Sequence, residues 1–231
     1  MELNAQDRLK QQAACRGVDL IEPGMVVGLG SGSTVRFALE EIGNRIATHV
    51  LRDIVGIPSS SQTEQLAREL GIPLTTLDQQ PEIDLTIDGA DEVAPDLGLI
   101  KGGGGALLRE KVIMETSRTN IIIVDENKLS PALGTKWPVP VEVLPLARQP
   151  VWNFLVSLGA RVDSRENEDG TSFLTDQQNI ILDAHFGPIA DPPQLAARLS
   201  GRAGIIEHGL FLNMASEIIA AGKNGVQRIG K

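Results

Sequence analysis

The strongest constraint on this chain is the alternation of two local patterns over roughly its first 130 residues. Short β-branched runs at Met25–Gly30, Ile54–Ile57, Ile83–Asp88 and Asn120–Val124 read as strands. Between them, Val35, Leu39, Ile42 and Ile46 recur at helical spacing from Ser33. A further helix is predicted from Ser61, where Ser61 and Glu64 have capping-box spacing, to a stop at Gly71. Strand and helix in regular turn build a parallel sheet with helices on its faces, and such sheets bind ligands at the carboxyl ends of their strands. The expected fold is therefore α/β, with a Rossmann-like parallel sheet.

After Pro131 the texture changes. Proline-rich WPVPVEVLP is followed by a helical stretch at 151–158, short strands near Arg161, near Phe173 and over 179–186, a helix at 194–199, and the strand-like GIIEHGLF. That order is the order of a ferredoxin-like α+β unit. The predicted division is a catalytic domain of residues 1–133 and 205–231 and a small ferredoxin-like domain of residues 134–204.

Length and composition narrow the function classes. A chain of 231 residues can bury a substantial core without disulfides, and its single cysteine, Cys15, forms no internal one. A net charge of -9 argues against nucleic acid as a partner, because phosphate backbones demand clustered Lys and Arg. One phosphate needs only a nest of backbone N–H groups and a few hydroxyls, which an acidic protein can supply. No apolar run approaches the ~20 residues of a membrane span, and no signal sequence opens the chain, so the expectation is a cytoplasmic protein with no membrane contact. His49, His185 and His208 lack ligand spacing, so no metal is expected and all three are read as structural or surface residues.

Three loops carry the chemistry. Gly28-Leu29-Gly30-Ser31-Gly32-Ser33-Thr34 joins a strand to a helix, where N–H groups and hydroxyls suit an anion. A dinucleotide fingerprint would need glycine in place of Ser33, and a P-loop lysine in place of Thr34. Asp53, roughly where a ribose-binding acid would fall, is then a decoy. The hydroxyls suit a compact phosphate monoester, although serines here could simply cap the helix. The second loop, Asp88-Gly89-Ala90-Asp91-Glu92, follows a strand whose alternation puts Ile83, Leu85 and Ile87 on one face and Asp84, Thr86 and Asp88 on the other. Two carboxylates separated by this tight turn, Asp88 and Asp91, can accept from sugar hydroxyls and shuttle protons, or the pair can belong to an ordinary Asp-Gly turn.

The third loop, Lys101-Gly102-Gly103-Gly104-Gly105, runs into a helix carrying Glu110. Four glycines at a helix start are costly unless the backbone must approach something closely. At three and four residues from Glu110 stand Ala106, Leu107, Ile113 and Met114, so its carboxylate shares an apolar face. Desolvation there raises a carboxyl pKa toward the range of a general base. Lys101 can stabilise an enediolate oxygen or remain a solvated lysine.

Together, GLGSGSTV, IDGADEV and KGGGGALLREK, in that order, resemble the signature set of A-type ribose-5-phosphate isomerases. The likeness extends to Asp125-Glu126-Asn127-Lys128, LGTKWPVPVEVLP, NIILDAHF and GLF, and so covers nearly the whole chain. The resemblance implies reversible conversion of D-ribose 5-phosphate to D-ribulose 5-phosphate through a cis-enediolate, in the non-oxidative pentose phosphate pathway, without metal or organic cofactor. It implies Glu110 as the base that carries a proton between C2 and C1. It implies substrate contacts from Ser31, Gly32, Ser33, Thr34, Asp88, Gly89, Ala90, Asp91, Lys101, Gly102, Gly103, Gly104 and Lys128. Ser31 stands where many members have threonine, which preserves the hydroxyl. A homodimer or homotetramer is also implied. The competing class is a sugar-phosphate sensor domain, which needs no base; Glu110, Lys101 and the lack of a basic helix-turn-helix segment speak against it. A phosphosugar deaminase of similar fold would place a histidine in these loops, and they contain none.

Overall fold

The computed structural model describes residues 3–230. In chain order its elements are α1 (Ala5–Val18), β1 (Val26–Leu29), α2 (Ser33–Ala47), β2 (Val55–Pro58), α3 (Ser61–Glu69), β3 (Ile83–Asp88), β4 (Glu92–Val93), β5 (Leu99–Ile100), α4 (Leu107–Thr116) and β6 (Ser117–Asp125). Then follow β7 (Val139–Val143), α5 (Arg148–Ser157), β8 (Arg161–Ser164), β9 (Ile180–His185), α6 (Pro192–Ser200), β10 (Ile205–His208), β11 (Leu210–Phe211), β12 (Glu217–Gly222) and β13 (Gly225–Gly230). They divide into two compact units, one of Met1–Ala90, Arg109–Lys128 and Met214–Lys231, the other of Asp91–Leu108 and Leu129–Asn213.

The first unit holds a six-stranded sheet in the order β13-β12-β6-β3-β1-β2. All neighbours are parallel except the edge hairpin of β12 and β13. The order reverses between β1 and β3, which leaves a crevice at their carboxyl ends where loops diverge. Leu85, Ile87, Ile121 and Ile123 pack on one face with Ala13, Ala14 and Val18 of α1 and Val35, Leu39 and Ile42 of α2. Gly17 lets α1 approach closely, since a Cβ there would lie 2.8 Å from Ile123 Cγ2. Ile83 departs from the predicted alternation partners and clusters with Ile57 and Ile113.

Caps explain several boundaries. Asn4 accepts from the Asp7 amide and starts α1, a helix missing from the sequence reading because its apolar stripe is narrow. The cap of α3 is Ser60, which accepts from the Thr63 amide, one residue before the predicted Ser61. Its end is a complete Schellman motif: the Gly71 amide bonds to Arg68 O, the Ile72 amide to Ala67 O, and Gly71 has φ +71°.

The second unit contains a four-stranded antiparallel sheet in the order β10-β7-β9-β8, with α5 and α6 as the two crossover helices. This is the ferredoxin-like arrangement. A small sheet of β11, β5 and β4 accompanies it. Ala94, Ile100 and Leu210 pack into the same core as Val139, Val141, Val151, Leu155 and Leu182. That shared core draws residues 91–108 and 205–213 into this unit, whereas the sequence boundaries left them with the first. The strand expected near Phe173 is reduced to isolated bridges, Glu166 with Ser172 and Leu174 with Ile180, around a tight turn with Gln178 at φ 63°.

Glu142, on β7, is fully buried. Its Oε1 accepts from Thr175 Oγ1 at 2.8 Å and Asn179 Nδ2 at 2.9 Å, while Oε2 is buried with no hydrogen-bond partner. Burial pushes its pKa above the ordinary 4.5, against the two hydrogen bonds and with help from the charges of Glu207 and Asp176. The unfolded chain therefore releases this proton at lower pH than the native one, and stability falls as pH rises from about 4.5 through the raised native value. Glu142→Gln keeps the acceptor and removes the titration. Its Tm relative to the unsubstituted protein should rise between about pH 4 and pH 7; a pH-independent difference would contradict this account.

Candidate active site

The first unit brings several predicted residues to the carboxyl end of its central strands. Asp88 ends β3 and is 1 % exposed. Its Oδ1 accepts from the Ser31 amide at 3.1 Å and the Gly89 amide at 2.7 Å. Lys128 ends a 3-10 turn, Glu126–Lys128, directly after β6. Asp53 precedes β2, at the amino end of that strand, where it takes no part in this cluster.

Glycines in the first loop serve packing more than the sequence alone suggests. A Cβ on Gly28 would lie 1.8 Å from Thr86 Oγ1 and 2.8 Å from Ile113 Cγ2. One on Gly30 would lie 2.2 Å from Asp88 Oδ1 and 2.6 Å from Asp88 Cα. Both positions are empty so that side chains of β3 and α4 can occupy the space. Gly32 alone requires the left-handed region, with φ 99°, and it is the N-cap of α2 with no side-chain cap hydrogen bond. The expectation that serines might cap this helix is thus not met. The first turn of α2, with exposed Ser33 and half-buried Thr34, presents uncapped backbone N–H groups suited to an anion.

Ser31 has a different part. Its hydroxyl donates to Ser60 Oγ at 2.9 Å, Ser60 to Thr63 Oγ1 at 3.0 Å, and Thr63 to the Gly30 carbonyl at 2.8 Å. With its proton committed, Ser31 accepts from Ser59 Oγ at 2.8 Å. This is one directed chain of four hydroxyls, and it fixes the loop from the β2–α3 turn. The loop hydroxyls left for a ligand are those of Ser33 and Thr34. Ser59, Ser60 and Thr63 went unnoticed in the sequence, where the run of serines before Gln62 carried only a capping signal.

Glu110 lies in the first turn of α4 and is 5 % exposed. Leu107, Ile113 and Met114 are buried as the spacing predicted, while Ala106 falls just before the helix. Ile113 sits against Gly28 and Thr86, and Ser117, at the far end of the helix, bonds to Thr86 Oγ1 at 2.6 Å. The helix therefore runs opposite to the strands, and Glu110 lies three residues, ~4.5 Å, beyond Ile113 toward their carboxyl ends. That is the end where Ser31 and Asp88 stand.

The second unit positions the remaining predicted residues. Lys101 is only 2 % exposed, not solvated; its amide bonds to Gly209 O at 3.0 Å and its ammonium lies 5.5 Å from the Phe211 ring centroid. Asp91 Oδ2 accepts from the Gly103 amide at 2.7 Å, and a Cβ on Gly103 would lie 2.6 Å from that carboxylate. Glu92, the last acid of the second loop, is fully buried and accepts from the amides of Gly134, Lys136 and Trp137, so it is a structural staple for that turn. His208 is buried and 3.1 Å from Ser200 Oγ, and His185 pairs with Asp163. Among the described residues, no three or more His, Cys, Asp or Glu side chains are grouped to hold a metal ion, and no helix is long and apolar enough to cross a membrane.

Residues 55–225 match the family model described as ribose 5-phosphate isomerase A (phosphoriboisomerase A). The chain is 55% identical to ribose-5-phosphate isomerase A of Desulfatibacillum aliphaticivorans, over 98% of this chain and 99% of that one. A solved D-ribose-5-phosphate isomerase in complex with phospho-erythronic acid superposes with a TM-score of 0.96 at 39% identity, covering 99% of this chain and all of the other. The Plasmodium falciparum ribose 5-phosphate isomerase superposes at 0.94 with 40% identity, covering 97% and 99%.

Proposed function

Because this chain belongs to the ribose 5-phosphate isomerase A family, we propose that it interconverts D-ribose 5-phosphate and D-ribulose 5-phosphate with Glu110 as the general base. The observation that carries this reading is the burial of Glu110 on the first turn of α4, at the carboxyl end of the parallel strands. Its carboxylate is the base of the proposed reaction. It takes the C2 proton of the open-chain aldose, leaving a cis-enediolate, and returns the proton to C1; the O2 proton is transferred to O1 in the same sequence. Asp88 and Asp91 accept from the sugar hydroxyls and assist ring opening. Lys101 offsets the negative charge on the enediolate. Gly32, Ser33 and Thr34 receive the phosphate at the start of α2, Ser31 shapes that loop, and Lys128 supplies a further contact. Gly89, Ala90, Gly102, Gly103 and Gly104 supply backbone contacts.

Cytoplasmic location and a homodimer or homotetramer complete the proposal, supported by the family resemblance. The test is turnover of ribose 5-phosphate in EDTA, followed by the appearance of the ketose. Conversion is expected; binding of phospho-erythronic acid without turnover would replace the isomerase reading with that of a sensor.

A further inference from the structure

Arg165 follows β8 directly, and its side chain is 14% exposed. Nε and Nη2 donate to the two carboxylate oxygens of Asp183 on β9. Nη1 donates to two consecutive carbonyls, Gly102 at 2.7 Å and Gly103 at 3.0 Å. The guanidinium carbon lies 5.8 Å from the centroid of the Phe173 ring. That ring fills the space beside Gly105, where a Cβ would lie 2.5 Å from it. One planar fork thus joins a strand carboxylate to the glycine loop, and a lysine ammonium has no such geometry.

A trans peptide is planar, with its C=O and N–H antiparallel. With the Gly102 carbonyl turned to Arg165, the Gly103 amide points away from it and meets Asp91 Oδ2. With the Gly103 carbonyl turned to Arg165, the amide of Gly104 points to that same far side, and Gly104 is exposed. The geometry points to Arg165 as a positioning residue: braced by Asp183, it sets two peptide planes so that Gly103 N–H is committed to Asp91 and Gly104 N–H is presented to an oxygen of the sugar phosphate. The identity of that ligand rests on the proposed isomerase activity, while the setting of the loop does not.

Arg165→Lys keeps the charge and loses the fork. Its kcat/KM for ribose 5-phosphate should fall at least about tenfold. Amide hydrogen exchange over residues 101–108 of the ligand-free protein should rise, with Tm shifted by less than about 3 °C. In Arg165→Ala, low millimolar guanidinium should restore part of the lost rate, and equal methylammonium should not. Wild-type loop exchange in Arg165→Lys, or a rate loss that guanidinium leaves untouched, would overturn the proposal. Should Arg165→Lys fail to fold, Asp183→Asn serves instead, with a smaller rate loss and the same rise in exchange; no change in either would equally overturn it. If the unsubstituted protein does not turn over ribose 5-phosphate, the isomerase reading fails, and the exchange comparison still decides the role of Arg165.

Discussion

Glu110→Gln is expected to lower kcat for ribose 5-phosphate by about a thousandfold while changing KM by less than about threefold. The carboxamide has the shape of the carboxylate and fits the same buried position on α4, where Glu110 is 5 % exposed. It cannot accept a proton from carbon at any useful rate. The proposed reading assigns the ground-state contacts to the sugar phosphate to other residues, so binding should survive. Initial-rate measurements over a range of substrate concentrations separate the two constants. A kcat within threefold of the unsubstituted enzyme would remove Glu110 from the mechanism.

Gly30→Ala is expected to produce the largest loss of stability among single-methyl additions to the site. Its new Cβ would lie 2.6 Å from the Asp88 Cα, a backbone atom that cannot swing aside, as well as 2.2 Å from Asp88 Oδ1. Relief requires β1 and β3 to separate or Asp88 to leave its bonds to the Ser31 and Gly89 amides. Overpacking of this kind costs about 3 kcal/mol, or a fall in Tm of about 10 °C in a chain of this size. The displaced Asp88 should also lower turnover. Thermal unfolding checks the first effect, and a Tm within about 2 °C of the unsubstituted protein would show that the strands accommodate the methyl.

Local periodicity explains what the sequence made legible. Ile83–Asp88 is a strand with the predicted bounds, α2 begins at Ser33, and α3 stops before Gly71, its C′ residue, because each depends on residues within a turn or two. Glu110 was visible for the same reason, since helical spacing alone put it among Leu107, Ile113 and Met114. Contacts between distant segments were not visible. Arg165 lies 63 residues from Gly102 in the chain and reads as one more charge near a strand. Glu92 reads as one more acid of the second loop, and its part as acceptor for the amides of Gly134, Lys136 and Trp137 depends on a turn more than forty residues away. The Ser31 hydroxyl looked free for phosphate, and its commitment to Ser60 depends on a turn 29 residues away. Residues 91–108 changed units because Ala94 and Ile100 share a core with β7 and α5, a pairing that no local pattern encodes.

The most direct test of Glu110 as a base on a sugar phosphate is proton exchange with solvent, followed by NMR in deuterium oxide. The unsubstituted enzyme should introduce deuterium at C1 of the ketose and C2 of the aldose as the pair equilibrates, and Glu110→Gln should introduce it at about a thousandth of that rate. Equal exchange by the two proteins would contradict proton transfer through Glu110.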